Sequence, residues 1–253
     1  SSGGYPFFHV GHPQSFLSAP DICKGGPFCN AFAFCHRHAN CDVMNAITLF
    51  DYWRSSASYR VRIVLNLKNV PYTRVPTSLL ENEQKAPAYV ARNPQGFVPM
   101  LSIDGHDLTQ SLAIIDYLDA KYPEPAMLSS NAADRAKTLA QALIIAADIH
   151  PIDNLRVLRY LKDEMGQSQE AVDAWYRHWI IEGFTALENM APDDGLFGGD
   201  VPNLADVCLV PQMANARRVD TPLDQFPKLS RIDAALTALP AFIAAHPDQV
   251  KPD

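Results

Sequence analysis

The chain has 253 residues, enough for one large domain or two ordinary ones. Hydrophobic residues make up 47% and charged residues 19%, which describes a globular chain with a core and excludes wholesale disorder. With 21 Lys and Arg against 28 Asp and Glu the formal net charge is −7, so the basic face a nucleic-acid binder needs is missing. No apolar run reaches the ~18–20 residues of a membrane helix. The longest candidate, Ala140–Ala147, contains Gln141 and runs into Asp148.

Residues 1–43 differ from the rest. They hold Cys23, Cys29, Cys35 and Cys41, four of the eight His and six of the twelve Phe, and their charges cancel. The six-residue cysteine spacing, with His36 and His38 near the end, departs from the close pairs of the usual zinc sites. Beyond this stretch only Cys208 remains, which fits a cytosolic chain more than a disulfide framework. Residue 1 is not Met, and Met44 stands just before the first orderly pattern. Residues 1–43 are therefore expected to be an extension outside the fold, irregular or disordered.

From residue 44 the elements follow in order. Ile47–Tyr52 reads as a strand, and the hydroxyl cluster Ser55–Ser58 starts a helix whose face is Val61, Val64 and Leu65, up to Lys68. Pro71–Val75 is a second short strand and Glu81–Arg92 a weak helix. Met100–Ile103 and His106–Leu108 flank Asp104-Gly105, the signature of a hairpin. Gln110–Lys121 is a strong helix, and Tyr122–Ser130, with Pro123 and Pro125, a linker. Helical patterns then cover Asn131–Ile149, Pro151–Glu164, Gln169–Met190, Asn203–Arg217 and Ser230–Ala245. The expectation is an α/β domain over 44–122 and an all-α domain over 131–250, with Trp175, Trp179 and Phe184 on a core-facing helix face.

No G-x-S-x-G, Walker A, G-x-G-x-x-G or H-E-x-x-H motif is present, so hydrolase, kinase, dehydrogenase and zinc-protease chemistries have no anchor. Asp148, His150 and Asp153 cluster at a Pro-broken helix end, where such residues more often cap than bind metal; no metal is assigned. Three stretches remain. In Trp53–Arg62, serine hydroxyls stand where a strand gives way to a helix, and the free N–H groups there stabilise an anion such as a thiolate. In Asn93–Leu101, Pro99 directly before a strand suits a cis Val98–Pro99 bond that offers the Val98 backbone to a peptide-like ligand. Gln110-Ser111 opens a long helix whose N–H groups suit a carboxylate. Singly, each reads more readily as a helix cap or a plain loop. In this order they outline a site for a tripeptide thiol.

These motifs resemble the zeta class of glutathione transferases, and the resemblance runs from about residue 46 to 250. It is carried by Arg54-Ser-Ser-Ala-Ser-Tyr-Arg-Val-Arg62, Asn93–Leu101, Gln110–Leu118, Asp148-Ile-His-Pro-Ile-Asp-Asn-Leu-Arg156 and Asn203–Arg218. It implies a thioredoxin-like N-terminal domain, an all-α C-terminal domain, a cytoplasmic homodimer and glutathione as cofactor. It assigns Ser55 and Ser56 to the thiolate, with Gln95, Val98, Gln110, Ser111, His150 and Asn154 as further glutathione contacts. Arg54, Arg156 and Arg218 correspond to arginines that bind substrate carboxylates, and Asn203 with Asp206 to a capping box that serves folding. One position departs: Ala57 stands where the family pattern has Cys, so no protein thiol takes part there.

The implied activity is cis–trans isomerisation of maleylacetoacetate, with maleylpyruvate as the runner-up substrate. A thiolate adds to the carbon beta to a carbonyl, the bond rotates and the thiolate leaves. Both substrates are dianions, which a chain of charge −7 repels, so local arginines are required. The alternatives are a transferase acting on α-haloacids and a non-catalytic module. Retention of Ser55, Gln110, Ser111 and the arginines disfavours the module.

Overall fold

The computed structural model describes residues 47–252, so the expectations for residues 1–43 lie outside the described residues. Four short strands, β1 (Thr48–Asp51), β2 (Thr73–Pro76), β3 (Met100–Ile103) and β4 (His106–Thr109), form one sheet in the order β2-β1-β3-β4. β1 runs parallel to β2 and antiparallel to β3, with Leu49 opposite Leu101 and Leu101 opposite Leu108. The β3–β4 turn is Asp104-Gly105, both with positive φ (52° and 79°), the backbone that a two-residue hairpin requires. A parallel pair needs a crossover, and α1 (Ser56–Leu67) supplies it between β1 and β2. α1 packs against α3 (Ser111–Lys121), with Val61, Val64, Leu65, Ile114, Ile115 and Leu118 all buried. The expected helix over Glu81–Arg92 shrinks to a 3₁₀ turn, Glu83–Lys85, and the short α2 (Pro87–Val90), because this stretch carries no continuous apolar stripe.

The remainder is helical: α4 (Ala132–Leu143), α5 (His150–Ile152), α6 (Leu155–Arg159), α7 (Gln169–Met190), α8 (Leu204–Arg218), α9 (Pro227–Thr237), α10 (Pro240–Ala245) and α11 (Pro247–Val250). Ile144–Ile149 and Tyr160–Glu164 are π-helical. The helix expected over Pro151–Glu164 is broken at Asp153, where Asn154 caps a new start. The one expected over Ser230–Ala245 begins earlier, at Pro227, and restarts at Pro240. Proline without an N–H fits the first helical position and not the interior. Phe184 is buried as expected, whereas Trp175 and Trp179 are half-buried.

α8 is almost wholly buried and starts in a complete capping box. Asn203 accepts the Asp206 N–H, and the Asp206 carboxyl accepts the N–H groups of Asn203, Phe197 and Gly198. Burial pushes the Asp206 carboxyl up to about 6 against those three bonds.

α8 and α10 both pack on α1, which makes α1 the wall shared by the sheet and the helices. Arg62 fastens that wall. Its guanidinium donates to Asp51 Oδ1 at 2.6 Å, to the Ala245 carbonyl at 3.0 Å and to the Trp53 carbonyl at 3.1 Å. Asp51 in turn accepts from Arg74 at 2.8 Å, and Arg74 reaches the Val250 carbonyl at 2.9 Å. One buried carboxylate thus ties β1, α1, β2 and the C-terminal helices together.

Candidate active site

The first edge of the site is the junction of β1 and α1. Ser55 is the N-cap of α1, and its Oγ accepts the Ser58 N–H at 3.2 Å. That bond uses a lone pair and leaves the hydroxyl hydrogen free to donate. Ser56 is buried, and its Oγ lies 3.1 Å from His150 Nδ1. Burial, with the Arg60 guanidinium nearby, pushes the His150 imidazole down to about 3, so the ring is neutral at pH 7.

The second edge is the turn into β3 and the start of α3. Val98–Pro99 is cis, as the sequence predicts, and Val98 is half-buried. Gly96 has φ +59°, and a Cβ there would sit 2.8 Å from the Gln84 carbonyl oxygen, so only glycine fits this turn. Gln110 precedes α3 with a positive φ (67°), and its side-chain N–H donates to Gln95 Oε1 at 2.7 Å. Ser111 is the first residue of α3 and is buried, its Oγ accepting from Arg60 Nη1 at 3.3 Å. The free N–H groups and positive end of α3 add to the donors of this edge.

Two sets of expected residues are therefore gathered, Ser55, Ser56 and His150 at one end and Gln95, Gln110 and Ser111 at the other. Asn154 serves as the cap of α6, accepting the Arg156 N–H at 3.2 Å.

Beside the first edge opens a cavity of about 290 Å³ lined by Arg54, Ser56, Tyr59, Asn215, Arg218 and His246, among others. Arg218 stands at the end of α8 and donates to the Tyr176 hydroxyl at 3.0 Å. Burial pushes the Tyr176 phenol up to about 12 against the pull of Arg218, so it stays neutral. Arg54 is exposed, its guanidinium 5.5 Å from the Trp53 ring centre. Arg156 stands apart from this cavity's lining: it is exposed on α6, 5.3 Å from the centre of the Phe97 ring.

Arg60, Tyr59 and His246 are neighbours the sequence reading did not single out. For Arg60 a signal existed, since it lies four residues after Ser56 and so on the same face of α1. Asp148 and Asp153 diverge, the former exposed and the latter buried, and among the described residues no three His, Cys, Asp or Glu side chains converge as metal ligands.

Residues 45–120 match the glutathione S-transferase N-terminal domain. Maleylacetoacetate isomerase of Rhizobium meliloti (strain 1021) is 47% identical over 211 residues, covering 82% of this chain and 99% of its own length. The holo structure of a bacterial zeta-class maleylpyruvate isomerase is 42% identical with a TM-score of 0.79, covering 81% of this chain and 99% of its own. A maleylacetoacetate isomerase structure from Methylobacterium extorquens AM1, with bound malonate and glutathione, is 34% identical with a TM-score of 0.77, covering 81% and 98%. The chain belongs to the zeta class of glutathione transferases, the class of these isomerases.

The residues present suit glutathione. Arg60 Nε and Nη2 are buried with no partner among the described residues, next to a hydroxyl at a helix start, which is the donor set an anionic peptide requires.

Proposed function

We propose that this chain is an enzyme that uses glutathione as a cofactor to isomerise maleylacetoacetate to fumarylacetoacetate. The observation that carries the reading is a single cavity lined by a helix-start serine, Ser56, and by the guanidinium groups of Arg54 and Arg218. A thiol activated at the start of α1 would meet a diacid held by those arginines.

Bound glutathione supplies a thiolate that adds reversibly to the conjugated double bond, which lets that bond rotate. The protein's part is to hold and polarise. The free Ser55 hydroxyl hydrogen and the N–H groups opening α1 stabilise negative charge there. Neutral His150 fixes the Ser56 hydroxyl. Gln110, Ser111 and the N-terminus of α3 take a carboxylate, the Val98 backbone pairs with the peptide in strand fashion, and Gln95 orients Gln110. Asn154, at the break four residues beyond His150, is assigned to the same ligand, with its side chain also capping α6. Arg54 and Arg218 receive the substrate carboxylates in forked hydrogen bonds and stabilise charge that develops on the substrate oxygen. Arg156, further out, attracts the dianion towards the site.

Maleylpyruvate is the second reading, favoured by the likeness to the zeta-class maleylpyruvate isomerase structure and by the same pair of charges. We assign residues 44–122 to glutathione and 131–250 to the substrate side, in a cytoplasmic homodimer. Among the described residues no helix is long and apolar enough to cross a membrane.

Parallel kcat/KM measurements on the two diacids at one glutathione concentration test the assignment. Higher kcat/KM for maleylacetoacetate is expected, and a clear preference for maleylpyruvate would transfer it to the second reading.

A further inference from the structure

Arg60 is 1% exposed, yet among the described residues its guanidinium makes a single hydrogen bond, the 3.3 Å contact to Ser111 Oγ. Nε and Nη2 are buried without a partner among the described residues. A guanidinium does not escape by losing its proton inside a protein, so burial without a counter-ion is strongly unfavourable unless an anion is near.

The groups around it supply none. His150, the first residue of α5, is held neutral. Cys208, on α8, has its thiol pushed up by burial, so it too is neutral. Asp206 lies near Cys208, but its carboxyl is already taken by three backbone N–H groups. The anion that Arg60 lacks is therefore not found among the described residues. Its position says where that anion would be: one helical turn below Ser56 on α1, and bonded to the first residue of α3, so that it bridges both edges of the site.

We propose that Arg60 is the built-in counter-charge of the glutathione site, a positioning residue whose buried guanidinium holds positive potential under both the thiolate and the carboxylate end of the ligand. The inference rests on the glutathione reading above and adds a residue that touches the site from beneath. Its neighbours transmit the effect. Ser111 is oriented by the guanidinium as acceptor, which turns its own O–H outward as a donor. His150 is kept neutral partly by the same charge, and Ser56 is bonded to it. In a low-dielectric setting one unscreened charge outweighs several exposed ones.

The proposal separates stability from function. Without ligand, the unpaired guanidinium is a liability, so an apolar side chain of similar length should leave the empty protein no less stable. Three measurements on full-length parent, Arg60→Met and Arg60→Lys test this. They are thermal unfolding without ligand, the absorbance titration of the thiol of bound glutathione, and the affinity for S-methylglutathione, which has no thiol to ionise.

For Arg60→Met the expected results are an unchanged or raised midpoint without ligand, a bound-thiol pKa higher by about one unit or more, and S-methylglutathione binding weaker by about tenfold. Arg60→Lys, which keeps the charge, should recover most of the thiol shift. A variant that unfolds or melts much earlier without ligand would assign Arg60 to the fold and overturn the proposal, as would an unchanged thiol pKa in a stable Arg60→Met protein. Failure of the parent itself to bind glutathione would instead refute the underlying reading.

Discussion

Two arginines of α1, two positions apart, are both buried and have opposite surroundings. Arg62 is 0% exposed and spends its guanidinium on a carboxylate and two carbonyls, all belonging to the protein. Arg60 is 1% exposed and has, among the described residues, one hydroxyl partner and two unpartnered nitrogens. The first faces β1 and the C-terminal helices; the second faces the edges of the candidate site. A buried charge balanced from within holds a fold together, whereas one left unbalanced waits for a ligand. The same helix carries both because residues two apart project in widely different directions on a 3.6-residue turn.

The largest expected effect is on the balanced side. Arg62→Met should cost about 3–5 kcal/mol in denaturant unfolding, since it strips Asp51 of its shortest partner and frees two carbonyls. If it costs no more than Arg60→Met, the contrast between the two arginines fails.

On the ligand side, Ser55→Ala should lower isomerase kcat by ~10²–10³. Its stability cost should be only about 1 kcal/mol, that of a lost N-cap. Near-normal turnover with an unchanged thiol titration would move the role to Ser56. Ala57→Cys should change turnover little, because the reacting sulfur belongs to the cofactor.

Smaller again, Arg218→Ala should weaken diacid use by about 1.5–3 kcal/mol while glutathione affinity stays nearly constant. Arg156→Ala should do less, since Arg156 does not line the cavity. Equal losses on diacids and neutral electrophiles would make Arg218 structural.

A pH-dependent effect, read as a trend and not as a single loss, sharpens the rule from the acidic side. Asp153 is 3% exposed, neither of its oxygens has a partner among the described residues, and burial pushes it up to about 8. The folded state thus keeps a proton that the unfolded state gives up near pH 4. Stability from this proton is complete below about 4 and lost as pH rises to about 8. Relative to Asp153→Asn, the parent should lose stability steadily across that window, and no further above it. A difference that is flat from pH 4 to 8 would mean that Asp153 is already ionised.

Much of this was legible in the residues. Periodicity located β1, α1, the Asp104-Gly105 hairpin and α3, because each is a local pattern with its own start and stop signals. The resemblance named the serine, glutamine and arginine positions, and of these Arg54, Ser56 and Arg218 share a cavity lining while Arg156 lies outside it. Pro227 and Pro240 were visible, yet apolar spacing around them suggested one helix where the chain makes two. Arg60 and Arg62 were hidden for a different reason. Whether a buried arginine finds a carboxylate depends on Asp51, Ala245 and Ser111, which come together only in the fold. The cavity's use of His246 is similarly non-local, since it joins the C-terminal helices to the first strand–helix junction.

The most direct test of the account is the fate of glutathione itself during turnover. Maleylacetoacetate should be converted over many cycles at a glutathione concentration far below that of the diacid, with free glutathione unchanged at the end and fumarylacetoacetate as the product. Consumption of one glutathione per substrate molecule, or no conversion by a protein that binds glutathione, would contradict it.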